Sequence, residues 1–454
     1  MSIRVIVLYF FITFLCIYAW KDWFKSLCGL IVLMAIISHG DMPTTVFGIQ
    51  GLNPWNVLFT IIFLAWLASR RSEGLTWDMP RHISVLLLMY LVVILVGVLR
   101  AVFDRSHIED YPLGGLISEE LINTVKWVLP GVLLFDGCRT RKRIVMALTC
   151  TLLLYFLISV QVIKAMPVEA VTSDSKTMMS KRKRLNEEVG YASTDTSVML
   201  AGSSWGMLAA MALIRKKKYQ VMLFLGAGVI AFGQALTGGR GGYLAWGTTG
   251  LVMCLFKWHR YLLLAPVLMI LLPILFPAAA ERMLMGFGAT DVTGQKVIDE
   301  EALGAGRLLV WPYVIEKIGK SPLIGYGRLA MKRTGLYDRI ETEHPGTGAP
   351  HPHNMYLETL LDNGIIGSLP ILSFFALVVF YSARLFRSGN RLFTAVGGLS
   401  LALVLSSMVG GLTGQHVYPQ EHTLGIWAAI FLTLRVSEED KRMRQATFIP
   451  VSMV

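Results

Sequence analysis

Three short segments of this sequence carry side chains whose types and spacing suit one reaction. The first is His351-Pro352-His353-Asn354. Pro352 disfavours a helical conformation at His351. Asn354 is a good N-cap and Gly364 a good C-terminal stop, so His353 is expected just ahead of a short helix. A helix N-terminus carries partial positive charge and free N–H groups. It stabilises a nearby phosphate and biases a nearby histidine toward the neutral form, which can accept a proton. The second segment is Thr237-Gly238-Gly239-Arg240-Gly241-Gly242, where glycines permit close backbone approach to whatever meets Arg240. The third starts at Gly306-Arg307. Leu308, Trp311, Val314, Ile315 and Ile318 recur at helical spacing, and Pro312 is tolerated only near a helix start. Arg307 is thus expected at or before the first turn. A guanidinium suits bidentate phosphate contact.

One histidine and two arginines of this kind suit attack by a hydroxyl on a carbon whose leaving group is a phosphate ester. The histidine would be the base, and the arginines would stabilise the departing charge. Glu358, one turn into the short helix, could orient the base or an acceptor sugar, or be a solvated helix residue. Tyr356 could stack on a sugar or simply pack. No metal or cofactor is expected. The chain has no Asp-x-Asp pair to hold a sugar nucleotide through a metal, and His351 with His353, even with His344, His416 and His422, makes a weak ligand set.

The elements that must position these groups are membrane helices. Of 454 residues, 54% are apolar and 16% charged, against about 25% charged in a soluble domain. The apolar residues come in blocks such as Ile83 to Leu99. A bilayer-spanning helix needs roughly 20 such residues, and barrel strands are shorter and alternate. The expectation is an all-α polytopic membrane protein of about 12–13 spans, near 3–20, 26–38, 54–69, 83–103, 119–136, 144–164, 196–214, 219–236, 241–256, 261–277, 365–383, 392–411 and 423–436. The composition excludes a soluble enzyme, a secreted disulfide scaffold and a disordered chain. The five cysteines form neither a metal spacing nor a disulfide framework.

The net charge of +12 falls in short runs between spans. This is read as cytoplasmic-loop bias and contact with anionic membrane lipid, not as nucleic-acid binding. Arg70-Arg71, Arg139 to Arg143, Arg215 to Lys218, Lys257 to Arg260 and Arg384 to Arg391 can all lie inside at once. The loops carrying Arg240, Arg307 and His353 then share the outer face. So does Lys181-Arg182-Lys183-Arg184, which is either a tolerated basic loop or a patch for an anionic head group or glycan. Four regions follow: 1–195, N-terminal spans with a basic outer loop near 165–195; 196–277, spans carrying the Arg240 loop; 278–364, a large periplasmic loop with short helices; and 365–454, C-terminal spans and a cytoplasmic tail. The absence of paired broken helices and the scarcity of ionisable residues in spans weigh against a lipid-linked glycan transporter or flippase.

These segments resemble the O-antigen ligase and O-antigen polymerase superfamily of bacterial envelope glycosyltransferases. The matching pieces, in order, are Gly-flanked Arg240 after a span, Arg307 followed by Trp311, Pro322-Leu323 with Gly325 and Gly327, and His353-Asn354 with Tyr356, Leu357, Glu358, Gly364 and Gly367. The region runs from about 195 to 430; the N-terminal third matches in hydropathy alone. The resemblance implies a GT-C-type enzyme that uses an undecaprenyl-diphosphate-linked glycan as donor at the periplasmic side of the inner membrane. It implies His353 as the essential histidine and Arg240 and Arg307 as diphosphate-binding residues. Asn354, Tyr356, Glu358 and His351 are the remaining substrate-binding candidates, His351 being an extra histidine at this motif. The acceptor stays open between a lipid A core sugar (a ligase) and another lipid-linked repeat (an O-antigen or exopolysaccharide polymerase), the ligase being favoured. Polysaccharide assembly proteins are conceivable partners.

Overall fold

The computed structural model describes residues 3–45, 51–166, 175–284, 289–290, 296–297, 307–347, 350–414 and 417–447. Gly306 and His416 lie outside the described residues. The chain is almost entirely helical. A two-residue antiparallel pairing of Ala289–Thr290 with Lys296–Val297 is the one strand pair among the described residues. Seven helical stretches are long and apolar enough to cross a bilayer, and the chain is an all-α, multi-pass membrane protein. Each of the expected spans falls on helix, but several miss that standard for identifiable reasons. Ile3–Ala19 has 17 residues, Pro54–Ser72 ends in Arg70 and Arg71, the 119–136 segment is divided into short pieces, and Leu424–Thr447 runs on into a charged end.

Arg240–Leu275 counts as one apolar stretch of 36 residues. A straight helix of that length would hold its ends about 54 Å apart. Yet Arg282, a few residues beyond it, donates from Nε to the Gly238 carbonyl at 3.0 Å. The chain therefore reverses, and the irregular turns Cys254–Trp258 and His259–Leu264 mark the place. The Lys257 ammonium secures that end by donating to the Phe386 and Ser388 carbonyls. The segments read at 241–256 and 261–277 thus lie on either side of that reversal, within one apolar stretch.

The innermost packing joins Ser193–Ala210 to Arg391–Gly410. The first of these helices is rich in Ser, Ala and Gly, and a side chain at Gly202 would meet the Ala402 carbonyl at 2.8 Å. Such close backbone approach is what membrane helices use in place of a hydrophobic drive. Of the expected cytoplasmic cations, Arg70 and Arg139 pair with buried Asp136 at 3.2 and 3.0 Å, and Arg435, from the last helix, pairs with Asp78 at 2.7 Å.

The 32-residue helix Met355–Phe386 is broken where the sequence predicts a stop. Gly364 has φ 60° and ψ −169°, a region that is nearly glycine-only. Such a break strands backbone groups that the helix itself would otherwise satisfy. The connector Pro322–Gly327 repairs it. Tyr326 and Gly327 donate their amides to the Leu361 and Asp362 carbonyls at 2.9 and 2.6 Å, and Ile365 and Ile366 donate theirs to Pro322 and Leu323 at 2.8 and 3.0 Å. Arg100 then donates to the Ile324 and Gly325 carbonyls at 2.8 and 2.9 Å. A Cβ at Gly325 would lie 2.6 Å from the Gly364 nitrogen, so two backbones pass with no room for a side chain. Gly364→Ala is expected to lose about 1–3 kcal/mol to backbone strain alone, read as a lower midpoint of thermal unfolding in detergent; an unchanged midpoint would contradict the splice.

Candidate functional site

The Arg240 loop is wedged between the Ser193–Ala210 helix and the turn that follows Arg391–Gly410. Gly239 precedes the Arg240–Met253 helix as its N-cap, and Ser197 donates its hydroxyl to the Gly239 carbonyl at 3.3 Å. Side chains at Gly239 or Gly242 would collide with Ser197, and one at Gly241 with Thr413. The glycines are therefore required by the tight seating that holds Arg240 at the helix start.

Arg307 opens the described helix Arg307–Lys320. Val310 and Val314 of that helix pack on Ala330, Met331, Leu336, Ile340 and Leu361 in a small separate core. Leu361 belongs to the helix that follows His353, so this core fixes Arg307 relative to the histidine segment. A direct tie adds to it: the Trp311 indole donates to the Pro352 carbonyl at 3.0 Å.

Asn354 caps the next helix as the sequence predicts, its side chain accepting from the Tyr356 and Leu357 amides at 3.0 and 3.2 Å. His353 sits just before it in the left-handed region, with φ 48°. The His351 and His353 rings meet edge to face at 4.0 Å between centroids, and the His353 amide donates to His351 Nδ1 at 3.4 Å. Burial, then the Arg307 charge, pushes His353 down from 6.5 to about 4. Burial, then the protonated His353, Lys332, Arg328 and Arg307, pushes His351 down to about 3. Both imidazoles are neutral at pH 7.

These depressed values have a stability consequence. The stability they contribute is fully present above the ordinary value of 6.5 and is lost as the pH falls through about 4. Thermal stability in detergent is expected to drop across that window, and His353→Gln to flatten the drop; an identical profile in the variant would contradict the buried neutral form.

Arg240 and Arg307 line one cavity of about 170 Å³. The structure adds to them Arg182, from the Ser175–Val189 helix, and Arg282, from Pro277–Leu284. Asp195 and Thr413 are also part of the lining. His353 is not part of it but lies within electrostatic reach of Arg307, which in turn feels Arg240. Arg240 and Arg307 thus share one cavity, and His353 lies outside its lining. The others turn aside. The Tyr356 hydroxyl donates to the Met408 carbonyl at 3.0 Å. Glu358 is buried 3.4 Å from Arg328.

Sequence reasoning did not single out Arg282, Asp195 or Arg328. Arg182 was visible as part of a basic run that breaks the positive-inside pattern. Arg282 is an isolated cation with no local signal. Arg328 forms ion pairs with Glu120 at 2.6 Å and with Glu358 and Asp362 at 3.4 Å, and stacks 3.5 Å from the Tyr418 ring centre.

Comparison with known proteins matches the chain to the family model described as O-Antigen ligase over residues 221–372. That range contains Arg240, Arg307 and His353. Three similar proteins are each provisionally named a polysaccharide ligase: one from Rickettsia conorii at 23% identity, one from Rickettsia felis at 21% and one from Rickettsia bellii at 25%. Each alignment spans 53% of this chain, and the chain covers a little over half the length of each relative, 57–58%. Residues 221–372 of this multi-pass membrane protein, which hold Arg240, Arg307 and the histidine turn, are thus similar to the O-antigen ligase family domain.

Proposed function

We propose that this chain is a metal-independent, inverting glycosyltransferase of the bacterial inner membrane. It moves a glycan from undecaprenyl diphosphate to a hydroxyl at the periplasmic face, with a lipid A core sugar as acceptor. The observation that carries this reading is the convergence of Arg240 and Arg307 on one cavity, with neutral His353 outside it but within electrostatic reach of Arg307. The ligase names of the three relatives favour ligation over polymerisation.

In this reading the donor diphosphate occupies the arginine cavity. The acceptor oxygen attacks the anomeric carbon as its bond to the phosphate oxygen breaks. The acceptor proton passes to His353 and the electron pair leaves with the diphosphate, whose added charge the guanidiniums stabilise. Attack opposite the leaving group inverts the carbon. Burial keeps His353 unprotonated at neutral pH and so able to accept that proton. Asn354 holds the turn that presents it. Tyr356 and Glu358, tied to Met408 and Arg328, act through the position of that turn.

The test is reconstitution of the purified chain in nanodiscs with an undecaprenyl-diphosphate-linked glycan. A lipid A core acceptor, or a second lipid-linked repeat, is supplied with and without a metal chelator. A new inverted glycosidic bond to the core, unaffected by the chelator, is expected. A bond to the second repeat alone would make the enzyme a polymerase. Movement of the donor across the bilayer with no new bond would make it a transporter.

A further inference from the structure

The Arg307–Lys320 helix has three faces, and the protein accounts for two of them. Val310 and Val314 turn into the small core, with Ile318 packed against it. On another face Glu316 pairs with Lys320 at 2.6 Å and reaches Arg339, of the Leu336–Glu343 helix, at 3.4 Å. Such pairs belong to a helix surface in water. Between these faces run Leu308, Pro312 and Ile315, whose spacing of four and three residues sets them in one line. All three are exposed, Leu308 at 38% and Ile315 at 56%, and none belongs to the core.

The line leads into the connector that follows the helix. Leu323 and Ile324 there are 58% and 60% exposed, and the Pro322 and Leu323 carbonyls accept from the Ile365 and Ile366 amides. Exposed Ile366 and Leu369 then begin the outward side of an apolar stretch long enough to cross a bilayer, where the neighbour is lipid. The level of the connector has a second marker. Arg100, which donates to the Ile324 and Gly325 carbonyls, lies three residues before the end of the 23-residue apolar helix Arg81–Phe103. Long cationic side chains near the ends of spans reach to the membrane–water interface. Both markers bring the end of the Arg307–Lys320 helix to the level of the lipid head groups.

We propose that the Arg307–Lys320 helix lies along the membrane surface, with Leu308, Pro312 and Ile315 in the acyl boundary of the adjoining leaflet and Glu316 and Lys320 in water. An apolar line beside a charged one is the pattern of helices that rest in an interface. Lipid is the occupant of this face because the face continues the lipid-facing side of a span. The contact gives Arg307 a third support, beside the small core and the Trp311–Pro352 hydrogen bond. This placement is independent of what fills the arginine cavity.

The test uses the unsubstituted full chain in phosphatidylcholine nanodiscs. Part of the lipid carries a trifluoromethylphenyl diazirine on its acyl chain, close to the head group. Light expels dinitrogen and leaves a carbene, which inserts into neighbouring C–H bonds. The labelled residues are mapped by peptide mass spectrometry. Leu308 and Ile315 are expected to be labelled together with Ile366 and Leu369, at yields at least about tenfold above Glu316 and Glu343 on the water side. Label on Ile366 and Leu369 without Leu308 and Ile315 overturns the proposal, as does equal label on all six. Absence of label from Ile366 and Leu369 overturns it too, because the continuity with lipid is then lost. Discs holding two copies test the other occupant. Unchanged label on Leu308 and Ile315 supports lipid, whereas its loss in these discs makes the line a contact between copies of the chain and overturns the proposal.

Discussion

His353→Ala is expected to reduce glycan transfer by about 10²–10⁴-fold, the usual worth of a positioned general base, while leaving the protein folded. Structure at this turn does not depend on the imidazole. Asn354 supplies the cap, Met355 donates its amide to the Gly411 carbonyl at 2.7 Å, and Trp311 holds the Pro352 carbonyl. The measurement is initial transfer rate in nanodiscs alongside the thermal midpoint. His351→Ala is the informative companion. The two rings touch, so removing His351 opens the site to water and raises the proton affinity of His353, with a smaller expected rate loss. A full rate loss in His351→Ala with normal transfer by His353→Ala would exchange their roles.

Arg328→Ala is expected to have the largest effect on stability, about 3–5 kcal/mol, the cost of breaking a buried ion pair by removing one partner. Arg328 is 8% exposed, and its removal leaves Glu120, Glu358 and Asp362 facing one another without the cation. The loss spreads, because the Arg328 carbonyl accepts from Arg333 Nε at 2.8 Å and the Arg333 guanidinium reaches Asp104 at 2.8 Å. Urea or thermal unfolding in detergent gives the number. A variant as stable as the parent would show that the network is not what binds the connector to the helix following His353.

What the sequence made legible here is what depends on neighbouring residues. Asn354 as a cap and Gly364 as a break are local matters of backbone propensity, and each is found where it was read. The membrane helices were legible because lipid demands long apolar runs. The meeting of Arg240 with Arg307 was legible through a resemblance, since nothing in either segment fixes its distance from the other. Arg282 was not legible: its place depends on the reversal of the chain near His259 and on the space left at Gly238. Glu358 shows the same limit from the other side. Its position one turn after His353 suggested work on substrate, but its buried surroundings contain Arg328, thirty residues earlier, whose approach no local pattern announces. Pro322, Gly325 and Gly327 were legible as a motif, and the structure shows that the motif is a backbone repair.

That repair has a mechanical consequence. Ile365–Phe386 is joined to the turns above it by a glycine, not by continuous helical hydrogen bonds, while those turns are fastened sideways to the connector and to the Arg307 helix. A transmembrane helix answers a thicker or thinner bilayer by changing its tilt. Here Ile365 and Ile366 are hydrogen-bonded to the same connector that holds the turns above, so a change of tilt is expected to reach the connector and the Arg307 helix rather than to stop at the glycine.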